Sequence, residues 1–487
     1  MRPEGRKIFQ NVLVLTGTEV AAQGLALILM MFVARKLGPA LMGIHAFGLT
    51  FAMSLQIFID FGLNSYIQRQ IGRSPQSSAS LLFQITVLKM GIILACAGIT
   101  LALLPVMAPG YPKREVVLIL VGAMFFQSNM DTICAFFRAR LMAHLEAMVQ
   151  IGFRLTYTVA GILFIWAGAG LITLVSLQLV GMATAFFLAL GLFQRKIGRM
   201  QWDFSWPRLR QLVQSTWNFF LIRLVQTVFN SIDMLMLSII AGDVPTGYYA
   251  AVCRLIFAFD FIPGAFSGAF LPILGRETQS DREFFFRSFA HYFRFVLLIG
   301  VGLGVILMGL SREIMVFIFG ADFLPASTTL FLMAITLILT FANWPMSTAI
   351  IALDKERSIF RIFSICAGVN ILLNLWLIPI LQDQGAAWAT ILSQFLLLIL
   401  QGRLLSPAVR QGAKLDSLSL RLMACGLLTW LFMHLLSFSK PGLGWSLVGS
   451  GLAFLLFAVL TGALRLSDLA LAREFLTQRE LKFTSSR

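Results

Sequence analysis

IFRIFSICAGVNILLNLWLIPI (359–380), then LQDQ (381–384), then GAAWATILSQFLLLILQGRLL (385–405): this passage decides the fold. Each long segment is about 20 residues with one charge near an end, Arg361 or Arg403. A helix of that length crosses the hydrocarbon core of a bilayer, where backbone polar groups must hydrogen-bond internally. The pattern recurs from residue 10 to residue 464, and fourteen segments qualify. With 58% hydrophobic residues, 12% charged residues and a mean hydropathy of +0.86, the composition lies outside the soluble range. The expected fold class is an all-α polytopic membrane protein with about 14 transmembrane helices.

Lys and Arg accumulate in short cytoplasmic loops. Most of the 38 basic residues fall on the side that holds both termini, which places both termini in the cytoplasm. The opposite side has Arg35, Lys36, Lys113, Arg114, Arg312 and Lys440. The net charge of +16 is dispersed over many short segments, which suits anionic headgroups of membrane lipids and speaks against nucleic acid as a partner. The five cysteines sit in apolar spans without a C-x-x-C pair, so neither a disulfide nor a metal is expected. The first apolar segment is too long for a signal peptide core and is interrupted by Glu19 and Gln23, so it reads as a retained span.

A repeat is visible in the glycines. Gly43 opens the second span and Gly72-Arg73 follows it; Gly247 opens the eighth and Gly275-Arg276 follows. The expected organisation is a six-helix lobe over 1–193, a linker over 194–213, a second six-helix lobe over 214–405, and two extra spans with a cytoplasmic tail over 406–487. Duplicated halves around a central site suit alternating access. The linker, with Trp202, Phe204, Trp206 and several Arg, reads either as an interfacial helix or as a solvated connection. Leu466 to Arg487 reads as an amphipathic tail behind a Ser467-Asp468 cap.

Polar residues in spans usually face a bundle interior or a wet cavity, because exposure to lipid costs several kcal/mol. Gln56, Asp60, Asn64 and Gln68 recur every four residues in span 2, and Arg223, Gln226, Asn230 and Asp233 share one face of span 7. Spans 1, 4 and 5 add Thr16, Glu19 and Gln23, Gln127 and Asp131, and Glu146, Gln150 and Arg154. These stripes read as the lining of an aqueous cavity or as interhelical polar packing. Glu146 and Asp131 lie near a boundary, so snorkelling to the interface is their alternative to lining a cavity. Lys89 and Arg294 stand alone.

Arg154, Arg223 and Arg254, with Gln226 and Asn230, are the candidate substrate-binding set, since a guanidinium stays charged and grips phosphate oxygens in pairs. Asp60, Asp233, Asp260 and Glu19 are the candidate ion-coupling carboxylates; Asp260 paired with Arg254 is the structural alternative. Pro263, Pro272, Gly264 and Gly268 mark span 8 as a candidate hinge.

Several passages resemble the polysaccharide flippases (Wzx-type) of the multidrug/oligosaccharidyl-lipid/polysaccharide exporter superfamily. They are Asn370 to Asn374 with Leu377-Ile378-Pro379, Gly385-Ala386-Ala387-Trp388-Ala389-Thr390, Ala34 to Pro39 with Gly43, Asp60 to Leu63, Asp233, Gly242, Gly247 to Ala251, and Phe319-Gly320. Together they cover most of residues 12–400; His45 departs from the usual Tyr. The resemblance implies two six-helix lobes in the MATE-like exporter fold. It implies movement of an isoprenoid-diphosphate-linked oligosaccharide across a bacterial cytoplasmic membrane for surface polysaccharide biosynthesis, with a polymerase or export machinery as partner, no cofactor and no enzymatic step. A multidrug or organic cation antiporter of the same fold is the alternative. A membrane glycan polymerase or ligase fits less well, because the longest outer loop is short, no D-x-D occurs, and the four histidines are scattered.

Overall fold

A computed structural model describes residues 3–64, 66–67, 70, 78–108, 110–198, 205–277, 282–412, 415–437 and 442–464. Gln68, Gly72-Arg73, Trp202, Phe204, Lys440 and the tail from Leu466 lie outside the described residues. The described chain is helical almost throughout. Helices α1 and α2 cover 3–37 and 39–60, and α3 to α7 are Ser78–Met107, Lys113–Ala139, Ala143–Trp166, Leu171–Lys196 and Trp206–Ile240. Then come α8 (Asp243–Phe257), α9 (Phe261–Glu277), α10 (Arg282–Gly309), the short α11 (Ser311–Phe319) and α12 (Ser327–Ala352). Helices α13 and α14 cover 356–381 and 383–412, followed by α15 (Leu415–Ser437) and α16 (Leu443–Leu460). With α8 and α9 as the two parts of one crossing, the described helices make the fourteen spans read from the sequence.

Three breaks are dictated locally. Gly38 has φ +77°, a conformation open to glycine, and Pro39 behind it disfavours a helical residue before it, so α1 and α2 part there. Gln382 (φ +52°) separates α13 from α14, and Asp383 next to it accepts a hydrogen bond from Thr329 on α12. A Cβ on Gly385 would overlap the Leu377 carbonyl oxygen, so the turn closes only around glycine. Ala386, Ala387 and Ala389 follow without exposure, letting α14 pack closely, while Trp388 faces outward. Span 8 breaks at 258–260, one turn before Pro263, whose ring would collide with the carbonyl four residues back. The expected hinge region is therefore a discontinuous helix, with Asp260 in the gap.

The chain divides into two compact units, Pro3–Ala250 and a second that begins at Ala251. The first unit groups α7 and the start of α8 with α1 to α6. Its core is held by apolar clusters around Phe136, Phe137 and Phe193, around Val33, Leu120 and Val175, and around Phe47, Ile59 and Val117. Phe61, beyond α2, stacks on Phe220 of α7 at 4.5 Å between centroids. The end of the expected linker is thus the first turn of α7, where Trp206 is exposed.

In the second unit, Leu298, Cys425, Phe454 and Ala458 join α10, α15 and α16. Arg294 of α10 donates to the carbonyls of Gly462 and Ala463 at 2.6 to 3.0 Å. These carbonyls lie in the turn just beyond α16, at the helix end whose dipole favours a cation. The lone cation of span 9 therefore has a structural task.

The tightest approach in the first unit lies where α2 meets α8. A Cβ on Gly43 would overlap the Asp243 carbonyl and sit 2.9 Å from the Gly247 nitrogen, and a Cβ on Gly247 would overlap the Pro39 carbonyl. Overpacking costs about 1–3 kcal/mol. Gly43→Ala and Gly247→Ala are each expected to lower the thermal unfolding midpoint in detergent, while Gly24→Ala and Gly91→Ala, which meet nothing within 4 Å, leave it in place.

Candidate functional site

A charged cluster occupies the first unit where α2, α3, α4 and α5 face one another. Lys89 on α3 has no exposure, and its Nζ donates to the Ser128 carbonyl (2.9 Å), Ser128 Oγ (2.9 Å) and Thr132 Oγ1 (2.6 Å). Asp60 Oδ1 lies 3.7 Å from the same ammonium. Gln56 Nε2 donates to Asp131 Oδ2 at 2.9 Å, which joins the stripes read in spans 2 and 4. Farther along α4, Arg138 lies 3.4 Å from Glu146 Oε1, which also accepts from Gln150 Nε2 at 2.8 Å. Glu146 is 2% exposed, so it is buried rather than snorkelled. Asp131 is half-buried and bonded within the bundle, which favours the stripe over the snorkelling alternative.

A second constellation surrounds the α2–α8 approach. Lys113, at the start of α4, donates to Asp243 Oδ1 (2.7 Å) and Ser238 Oγ (2.8 Å), and its ammonium lies 4.5 Å from the Phe47 ring centroid. Asp233 is 7% exposed and accepts from the Tyr249 hydroxyl and from the Met234 amide at 2.8 Å. Asp233 thus ties α7 to α8.

The other candidates separate by exposure. Arg223 and Asn230 are exposed and Gln226 is half-buried on α7; only Asp233 of that stripe is turned inward. Arg154 is half-buried, with its guanidinium 5.9 Å from the Phe153 ring centroid. Glu19 is exposed and accepts from Gln23 at 2.9 Å. In the second unit, Arg254 lies in the last turn of α8 and Asp260 in the α8–α9 gap, both half-buried.

Sequence reasoning missed Lys113, whose outward-loop position hid a specific partner, and it left Lys89 unassigned. It also missed a polar seam in the second unit. There Asn343 Nδ2 donates to Gln394 Oε1 (2.8 Å) and Gln401 Nε2 to Ser347 Oγ (2.8 Å), joining α12 to α14. The seven-residue spacing of Gln394 and Gln401 was the available signal.

Removing one member of a buried ion pair leaves an uncompensated charge and costs on the order of 3 kcal/mol. Lys89→Met is expected to depress the unfolding midpoint sharply, and Lys89→Met/Asp60→Asn to recover most of the loss. A double variant no more stable than the single one removes Asp60 as the partner. For the second constellation, Asp243→Lys is expected to lower the midpoint and Lys113→Asp/Asp243→Lys to restore part of it.

Comparisons with known proteins agree with this architecture. The chain is 23% identical over 398 residues to a probable low-salt glycan biosynthesis flippase, Agl15, of Haloferax volcanii, covering 79% of this chain and 81% of that protein. Its fold is similar to the lipid II flippase MurJ in an inward closed conformation, with a TM-score of 0.75, 16% identity, and coverage of 93% of this chain and 98% of that one. It is also similar to the multidrug transporter DinF-BH, at a TM-score of 0.61, 17% identity, and coverage of 84% and 96%. The profile of the family described as "Polysaccharide biosynthesis protein" matches residues 8–277, more than half of the chain, and the protein belongs to that family.

Proposed function

We propose that this protein is a flippase that moves an isoprenoid-diphosphate-linked oligosaccharide across the cytoplasmic membrane for surface polysaccharide biosynthesis. Family membership carries the reading. The glycan flippase relative and the fold shared with MurJ support it. The protein performs no chemistry on its cargo and works by alternating access between two six-helix halves, 1–193 and 214–405, joined by 194–213 and followed by two further spans. Both termini are cytoplasmic, as the distribution of Lys and Arg demands. A polymerase or export machinery receives the glycan.

The cationic set suits the cargo. Arg223 and Arg154 carry permanent charges on membrane-embedded helices, and Arg223 is open to its surroundings. A diphosphate leaving the headgroup layer loses hydration, and paired guanidinium hydrogen bonds replace it. Arg254, Gln226 and Asn230 complete the set. Coupling to an ion gradient uses embedded carboxylates, drawn from Glu19, Asp60, Asp233 and Asp260.

The alternative is a multidrug or organic cation antiporter, supported by the DinF-BH fold. Purified protein in proteoliposomes decides between them. Flipping of an isoprenoid-diphosphate oligosaccharide, scored by access of an added lectin, is expected without efflux of a cationic dye; dye efflux alone overturns the flippase reading. Arg223→Ala is expected to reduce flipping at least tenfold with an unchanged unfolding midpoint, since losing about 1.4 kcal/mol of phosphate binding is tenfold. Normal flipping by a well-expressed Arg223→Ala protein removes Arg223 from the site.

A further inference from the structure

Counting charge in the cluster of the first unit leaves a remainder. Its carboxylates are Asp60 on α2, Asp131 on α4 and Glu146 on α5; its cations are Lys89 on α3 and Arg138 on α4. Asp131 lies within electrostatic reach of Lys89, Arg138 and Asp60, and Glu146 within reach of Arg138, Asp131 and Glu19. Arg154, two turns along α5 from Glu146, acts instead on Tyr157. From α6, the neighbour of α5, the charged side chains are Arg195 and Lys196, exposed in its last turn. Among the described residues, three acids therefore share two bases, and Glu19 on α1 adds a further negative charge.

Two carboxylate oxygens of the cluster are buried without a hydrogen bond, Asp60 Oδ1 and Glu146 Oε2, and of these Asp60 Oδ1 faces the Lys89 ammonium at 3.7 Å. Glu146 Oε1 is held by Gln150 and faces Arg138, but Oε2 is buried with no hydrogen-bond partner. An ionised carboxylate with a bare buried oxygen is costly, whereas a protonated one removes the surplus. The cost of a buried polar oxygen then falls to that of a neutral hydroxyl. We infer that Glu146 is a proton-binding site of the transport cycle, in which Oε2 takes up one proton to give a neutral carboxylic acid and gives the same proton back when the cluster opens to water. Arg138 lies 3.4 Å from Glu146 and within electrostatic reach of Asp131, so the two acids draw on one guanidinium and Asp131 positions the charge that Glu146 answers. As a coupling site, Glu146 rests on the flippase reading given above; as a protonated carboxyl it does not.

The test separates the two. Infrared difference spectra of the purified protein, taken across about pH 5 to 8 in sodium-free buffer, are expected to show the carbonyl stretch of a protonated carboxylic acid that shrinks as pH rises. The band is expected to be missing from Glu146→Gln and present in Glu19→Gln. In proteoliposomes with an inward pH gradient, flipping by the unaltered protein is expected to rise with the gradient, and flipping by Glu146→Gln to be indifferent to it. Unfolding midpoints check that the variant folds; Gln keeps the size of the side chain and the hydrogen bond to Gln150. A band retained in Glu146→Gln, or a gradient response retained there, overturns the inference. So does stabilisation of the unaltered protein by sodium over choline that vanishes in Glu146→Gln while no carboxyl band exists, because the bound cation would then be sodium. A Glu146-dependent band in a protein that flips no lipid-linked glycan leaves the site standing and removes the flippase reading instead.

Discussion

Where α2 and α8 meet, neither Gly43 nor Gly247 has room for a methyl group, and each would drive a Cβ into a carbonyl of the other helix. Backbone contact of this kind is how helices gain packing energy in lipid, where burying an apolar side chain earns little over leaving it among acyl chains. The contact organises its surroundings. Lys113 reaches Asp243 and Ser238 across it, Phe47 lies beneath that ammonium, and Asp233 and Tyr249 fasten α7 to α8 alongside. A fold made of long apolar rods gets its register from such points, because a smooth helix surface leaves sliding and rotation cheap.

Elsewhere the same economy governs polar groups. Several polar side chains placed in spans meet a particular demand of the backbone or of another side chain. Arg294 supplies donors to the turn just beyond α16, Asp383 receives Thr329 at the α13–α14 turn, and Asn343, Gln394, Ser347 and Gln401 fasten α12 to α14. In water these bonds would exchange with solvent at little cost. Within a bilayer they fix which helix faces which.

Much of this was legible in the chain itself. Apolar length fixed the spans, and the equivalent glycines of the repeat, Gly43 and Gly247, proved to be the residues that meet. The i+4 spacing of Gln56 and Asp60 correctly put both toward the cluster, where Gln56 finds Asp131 and Asp60 finds Lys89. Asp233 belongs to the Arg223 stripe by spacing but turns inward to Tyr249 on the next helix, the interhelical packing that spacing alone could not separate from a cavity lining. For Glu146 the sequence left two outcomes open. Nearness to the end of a helix suggests an escape to the headgroups, but the short α4–α5 turn folds Arg138 back over the carboxylate. Partners contributed by distant segments, as Lys113 is to Asp243, have no local signature at all.

Helix α4 links the two constellations. It runs unbroken from Lys113 to Ala139, about 40 Å at the rise of an α-helix, and has no proline inside it. Lys113 at its first turn holds the start of α8, while Asp131, Thr132 and Arg138 at its other end belong to the charged cluster. Val116, Leu120, Ala123 and Met124 of α4 are buried, and Cys134 to Phe137 are buried around its whole circumference, so the helix is gripped along its length. A change of charge at Glu146 alters the force on Arg138, which stands on the same unbroken helix that Lys113 anchors at its other end. Any coupling along α4 is reciprocal: to the degree that a charge at Glu146 shifts the α2–α8 contact, opening that contact shifts the cluster's hold on a proton.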